Sequence, residues 1–124
     1  MNFLGLRTVI YYVPDLEKAK EWYSKILGID PYFDEPFYVG FNVAGYELGL
    51  QPIERNTEPI INNTITYWGV ADVEATYNQL LECGAIPLEK PTDVGGNIIV
   101  AAVADPWNNA FGIIYNPHFK IEKF

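Results

Sequence analysis

Of the 124 residues only one is cysteine, one is histidine and one is methionine. A single thiol, Cys83, excludes an intramolecular disulfide. Its place two residues past the Leu80-Leu81 pair suits a packed small hydrophobe better than a nucleophile. A single imidazole, His118, excludes any metal site built mainly on histidine, and its position after Pro117 suits the surface. Basic residues are few: eight against sixteen acidic ones, for a net charge of −8. Nucleic-acid binding needs a basic footprint, so it is not expected, and neither is attraction to an anionic membrane surface. No apolar run reaches the ~18 residues of a membrane span. The first residues show no basic segment followed by a long apolar one, the mark of a secretory leader. The expectation is a cytoplasmic, soluble protein.

What is present is an apolar and aromatic chain, 49% hydrophobic, with nine Tyr, seven Phe and three Trp. A core can form without staples, and that many Tyr and Trp also suit a concave pocket, since each has an apolar body and a polar tip. The chain states one pattern twice. Val13-Pro14-Asp15-Leu16 through Trp22-Tyr23 to Leu27-Gly28 reads as strand end, turn, helix and glycine stop. Val70-Ala71-Asp72-Val73 through Leu80-Leu81 to Gly84 repeats it 57 residues later, slipping by one at the glycine. A repeat of this kind marks a duplicated unit.

Around each copy the pattern predicts β-α-β-β-β. Leu4–Val13 is a strand rich in β-branched and aromatic residues. Asp15 caps a helix whose buried stripe is Leu16, Ala19, Trp22 or Tyr23, Ile26 and Leu27. Strands follow at Ile29–Phe33, Phe37–Val43 and Tyr46–Gln51, the last two joined by an Ala44-Gly45 hairpin turn. In the second copy Asp72 caps a helix with Val73, Thr76 or Tyr77, Leu80 and Leu81 inward. Its strands are Ile65–Val70, Ile86–Glu89, Asn97–Ala104 and Ala110–Asn116, with a loop at Pro91–Gly96 and a tight turn at Asp105–Asn109. The fold class is α+β: one domain over 1–124, with repeat units at about 4–51 and 64–116 and a polar connector at 52–63. Each helix covers one sheet face, and the two remaining faces are expected to curve around a cavity. Strand alternation places Thr8, Ile10 and Tyr12 on that lining. Beside them stand either Phe37, Val39 and Phe41 or Tyr38 and Asn42. Glu47, Gly49 and Gln51 follow, then Ile65, Tyr67 and Gly69, then Gly112 and Ile114.

Val13-Pro14-Asp15-Leu16 with Trp22-Tyr23 and Leu27-Gly28 resembles the signature of the vicinal-oxygen-chelate superfamily, which includes glyoxalase I, bleomycin and fosfomycin resistance proteins and extradiol dioxygenases. Val70-Ala71-Asp72-Val73 and Asp105-Pro106-Trp107-Asn108-Asn109-Ala110-Phe111-Gly112 look like its second-half motifs. The resemblance implies a homodimer and, in enzyme members, a divalent metal held at four strand positions by His, Glu or Gln. Carried over by spacing, those positions fall on Thr8, Glu47, Ile65 and Gly112. Only Glu47 has a suitable donor, so neither a metal nor another cofactor is expected. The resulting expectation is a metal-free small-molecule binder, similar in character to bleomycin resistance proteins, taking an aromatic or cationic ligand. Its candidate ligand-binding residues are Thr8, Tyr12, Phe41, Glu47, Tyr67 and Trp107. The alternative is a metal-dependent lyase, isomerase or dioxygenase of the same superfamily, with Glu47 the one candidate catalytic group, acting as acid or base with Tyr67 or Tyr12.

Overall fold

A computed structural model of the chain describes residues 1, 2, 4, 6–53 and 65–119. The chain divides into two compact units, Met1–Ile61 and Asn62–Phe124. Most of the expected connector, and the tail beyond residue 119, lie outside the described residues.

The first unit contains β1 (Thr8–Val13), α1 (Leu16–Leu27), β2 (Phe33–Glu35), β3 (Tyr38–Val43) and β4 (Tyr46–Pro52). Pro14 ends β1 because it has no N–H to give the ladder. The Asp15 carboxylate then accepts from the Lys18 N–H at 3.1 Å, satisfying one of the free donors of the first turn. Gly28 ends α1 at φ 69°, its N–H bonded to Ser24 O, in the left-handed conformation that only glycine adopts at little cost. The sheet runs β1-β4-β3-β2, with β1 parallel to β4 and the other pairs antiparallel. α1 lays Ala19 and Tyr23 on one face of this sheet, against Val39, Phe41, Leu48 and Leu50, all of them buried. Side chains of this size each contribute about 1.5–3 kcal/mol when fully removed from water.

The second unit repeats this topology with β5 (Tyr67–Gly69), α2 (Val73–Glu82), β6 (Ile86–Asp93), β7 (Ile99–Ala104) and β8 (Ala110–Tyr115), in the order β5-β8-β7-β6. Asp72 caps α2 through the Ala75 N–H at 3.0 Å. Val73, Tyr77 and Leu80 are its buried residues, over a core that includes Val103 and Ile113. Trp68 stacks on Phe111 at 6.1 Å on this helix-covered side. The one-residue slip of the repeat lies here: α2 has 10 residues against 12 in α1, and Cys83 then stands between it and Gly84 at φ 97°, a net shortening of one. Both sheets are mixed and both helices lie where the repeat places them, so the α+β reading with two β-α-β-β-β units holds.

Strand boundaries differ from the expected ones, most of all in β1, β2, β5 and β6. β1 begins at Thr8 rather than Leu4, because its partner strand supplies pairing only from Glu47 onward. β2 lies at Phe33–Glu35 rather than Ile29–Phe33. The turn is the two residues Pro36-Phe37, where proline's fixed φ suits a bend, so Asp34 and Glu35 pair with Val39 and Tyr38. β5 is shortened to three residues. β6 runs on through Pro91 to Asp93, where a loop was expected. It is the edge strand of its sheet, and register shifts flank Glu89, which lets Pro87 and Pro91 sit where no N–H is required.

The Asp105–Asn109 turn is built around a fully buried carboxyl group. Asp105 accepts from the Trp107 N–H (2.9 Å), the Asn109 N–H (2.7 Å) and the Asn109 side-chain amide (2.9 Å). Asn108 takes φ 68°, a conformation asparagine tolerates better than most residues.

Candidate functional site

The face of the first sheet that α1 leaves open carries the site. Parallel pairing sets Thr8 beside Glu47, Ile10 beside Gly49 and Tyr12 beside Gln51. Antiparallel pairing adds Gly40 beside Gly49 and Asn42 beside Glu47. Two glycines therefore face each other at the centre of this face, and the vacancy they leave is filled by rings. The Tyr38 ring lies across Gly49: an added Cβ there would overlap the hydroxyl and stand 2.7 Å from Cζ. Over Gly40, the same construction meets Glu47 Oε2 at 2.7 Å, Tyr32 Cε1 at 3.0 Å and Tyr38 Cε2 at 3.2 Å.

Tyr32, Tyr38 and Glu47 thus converge, and two hydroxyls meet the Glu47 carboxylate. Thr8 Oγ1 donates to Glu47 Oε1 at 3.0 Å, and the Tyr32 hydroxyl donates to Glu47 Oε2 in a short hydrogen bond. The Tyr38 ring stands beside the same carboxylate, over Gly40 and Gly49. The electrostatics follow. The Tyr32 hydrogen bond holds the Glu47 carboxyl below its ordinary range; partial burial opposes this, and the Thr8 hydrogen bond and the nearby Tyr38 hydroxyl reinforce it. Burial, then the neighbouring Glu47 carboxylate and the Tyr32 phenol, push the Tyr38 phenol up to about 12. The hydrogen bond to Glu47 likewise raises Tyr32. Glu47 is consequently a fixed anion at neutral pH, and both phenols are neutral donors.

Beside this cluster lies an open depression of about 280 Å³, lined by Arg7, Thr8, Tyr32, Asn42, Gly45, Tyr46 and Glu47. Asn42 is held in place by accepting from the Gly45 N–H at 2.8 Å across the Ala44-Gly45 turn. Lys20 bridges Glu17 on α1 and Asp34 on β2, tying to the helix the strand that follows Tyr32.

Of the residues singled out from sequence, Thr8 and Glu47 meet directly. Tyr12 is on the same open face, further along β1. Phe41 is not on it: it is opposite Leu48 on the helix-covered face and 0% exposed. The β3 alternative is the one realised, with Tyr38 and Asn42 on the side of Glu47. Tyr67 and Trp107 belong to the second unit. The Tyr67 ring lies across Gly112, whose added Cβ would stand 2.7 Å from Tyr67 Cδ1. The half-buried Trp107 follows Asp105 in its turn. Tyr32 and Arg7 were missed, although the Gly40 and Gly49 positions on neighbouring strands were a usable signal that large rings lie above them. His118 is exposed, with Nε2 2.6 Å from Gly96 O.

The residues do not fit the metal that the resemblance implies. Ile65 and Gly112 have no donor side chain. Glu47 already accepts from the Thr8 and Tyr32 hydroxyls. The register Tyr67↔Gly112 further shows that the second unit's counterpart of Glu47 is Ala110, two residues before Gly112, which is no better a ligand. Among the described residues no three His, Cys, Asp or Glu side chains cluster as a metal would require.

The topology, the capped repeats and the Asp105 turn find their match in a known family. The model of the Glyoxalase/Bleomycin resistance protein/Dioxygenase superfamily matches residues 5–113, and the chain belongs to that superfamily. Among solved structures it is similar to a glyoxalase-related enzyme from Fulvimarina pelagi, with TM-score 0.78 and 18% identity over 97% of this chain and 94% of the other. It is also similar to a glyoxalase/bleomycin resistance protein/dioxygenase family enzyme from Burkholderia phytofirmans PsJN, with TM-score 0.75 and 16% identity over 87% and 95%. A third is a glyoxalase/bleomycin resistance protein/dioxygenase from Nocardioides, with TM-score 0.73 and 16% identity over 100% and 91%. No curated protein matches the sequence. At these identities the likeness is one of fold. Among the described residues no helix is long and apolar enough to cross a membrane.

Proposed function

We propose that the chain is a metal-free small-molecule binding protein, one domain of two repeat units that acts as a homodimer and holds an aromatic or cationic ligand. The observation that carries this reading is the Glu47 cluster. A carboxylate held ionised by the Thr8 and Tyr32 hydroxyls stands among tyrosine rings beside a depression of about 280 Å³. A fixed anion flanked by π-faces favours positive charge in a guest. The depressed Glu47 and the raised tyrosines make poor acid–base catalysts near pH 7, since neither changes protonation there. Tyr12, Tyr67 and Trp107 remain proposed ligand contacts.

The test joins elemental analysis of the purified protein with a fragment screen by NMR, on wild type and Glu47→Gln. Aromatic and cationic fragments should shift resonances of Tyr32, Tyr38 and Asn42 in the wild type, and Glu47→Gln should weaken the cations most. Turnover appearing with a stoichiometric Zn, Ni, Mn or Fe ion would replace this reading with a metal-dependent lyase, isomerase or dioxygenase. A screen in which no fragment perturbs those residues would refute it.

A further inference from the structure

Two opposite charges line the Glu47 depression without cancelling each other. Glu47 is its anion, and the Arg7 guanidinium is a permanent cation on the same lining. The Glu47 N–H donates to the Arg7 carbonyl at 2.9 Å, which fixes the two backbones side by side at the start of the β1–β4 ladder. Their side chains form no ion pair among the described residues, because each is engaged elsewhere. Glu47 accepts from Thr8 and Tyr32, while Arg7 Nη1 donates to Leu4 O at 2.8 Å. A guanidinium has five N–H donors, so that bond leaves Arg7 a parallel pair for a carboxylate. Around Glu47 the supply is of acceptors. A carboxylate offers about four lone-pair directions, and Thr8 and Tyr32 take one each. The oxygens of those two hydroxyls can themselves accept. Asn42 Oδ1 receives the Gly45 N–H and keeps its second lone pair. A primary ammonium, with three N–H donors, matches such a set.

The size makes every guest feel both poles. A volume of about 280 Å³ corresponds to a sphere roughly 8 Å across, about one Debye length at physiological ionic strength. A simple cation gains from Glu47 but meets the like charge of Arg7, and a simple anion meets the reverse. A guest carrying both charges answers both poles. We infer that this depression selects small zwitterions of the amino-acid type, with the ammonium group at Glu47 and Asn42 and the carboxylate at Arg7, over amines or carboxylates of similar size. The inference rests on the binding reading above and names the ligand class of that same site. The Tyr32 and Tyr46 rings on the lining leave room for an apolar or aromatic side chain on the guest.

The experiment uses the whole chain and two matched sets of probes, chosen for different separations of the charges. One is free phenylalanine, phenethylamine and 3-phenylpropionate; the other is γ-aminobutyrate, butylamine and butyrate. Affinities are read from NMR shifts of Thr8, Tyr32 and Asn42. The zwitterion of at least one set should bind ten-fold or more tightly than both singly charged members. Arg7 is exposed, so Arg7→Gln should fold normally. It should bring that zwitterion down to the affinity of its amine while leaving the amine as tight as before or tighter. An amine that binds wild type as tightly as its zwitterion in both sets would overturn the inference and leave the binding reading standing. So would a preference that survives Arg7→Gln unchanged. Absence of shifts with all six probes would overturn it too. The fragment screen, which includes neutral aromatics, then decides separately whether the site binds anything.

Discussion

Gly49→Ala tests the packing on which the site depends. The backbone at Gly49 is ordinary β-strand, paired with Ile10 on one side and Gly40 on the other. Alanine meets no conformational objection there, and by itself it would gain about 0.5–1 kcal/mol over glycine in a strand. The space decides against it. A Cβ would overlap the Tyr38 hydroxyl and stand 2.7 Å from Cζ and 2.8 Å from Cε1, so the ring must swing off the sheet. Its packing over Gly40 and Gly49 is lost, at a cost of about 1.5–2 kcal/mol for a partly buried ring. The net effect is a destabilisation of about 1 kcal/mol, measured by urea unfolding. The informative comparison is a double-mutant cycle. In a Tyr38→Ala background the clash is gone, so Gly49→Ala should become neutral or stabilising, with a coupling of about 2 kcal/mol. The phenol of Tyr38 offers a second readout. Once released from the sheet it should titrate closer to 10 than to 12 in ultraviolet absorbance. Wild-type stability for the single variant, or the same loss with and without Tyr38, would refute the reasoning.

Glu47 gives a pH prediction with a definite sign. Its pKa is lowered on folding, so its contribution is present above its unfolded value and disappears as pH falls through the folded value, below about 4.5. Tyr38 has the opposite sign, and its contribution should decline as pH rises between 10 and about 12. Urea midpoints across pH should show both slopes, and Glu47→Gln should flatten the acid one. Asp105→Ala should cost about 3 kcal/mol by calorimetry, because it leaves two part-buried backbone N–H groups and the Asn109 amide without their acceptor; a loss under 1 kcal/mol would contradict that. Ala44 sits at φ 53° in the β3–β4 turn, so Ala44→Gly should raise the thermal midpoint, by about 0.5–1 kcal/mol in stability, and a lower midpoint would count against the turn geometry.

The architecture was legible because its signals are local. Asp15 and Asp72 three residues before the donors they cap, Gly28 and Gly84 at the helix ends, and Ala44-Gly45 between two apolar runs each fix a short segment with no distant partner. The errors fell where a partner strand decides. β1 and β5 are shorter than their composition suggests, since a strand is only as long as its ladder. β6 is longer, since an edge position tolerates the prolines that read as a loop. In the candidate site, Thr8 and Glu47 stand side by side because β1 and β4 pair in that register. Phe41 was misplaced because alternation gives two faces without saying which is covered. Tyr38 and Asn42 were equally allowed, and only the pairing Asn42↔Glu47 chose between them. Tyr32 could not be found from periodicity at all, since it precedes its strand and reaches Glu47 from fifteen residues away.

By itself the sequence determined the duplicated β-α-β-β-β units, the superfamily they belong to and the poverty of metal-donor side chains, because caps, glycine stops and residue types are properties of short stretches of chain. Only the tertiary structure decided that Glu47 is held by Thr8 and Tyr32, and that the empty places above Gly40 and Gly49 are filled by tyrosine rings. Those facts depend on strand register, and register is set by which residues pair across the sheet rather than by what each residue is.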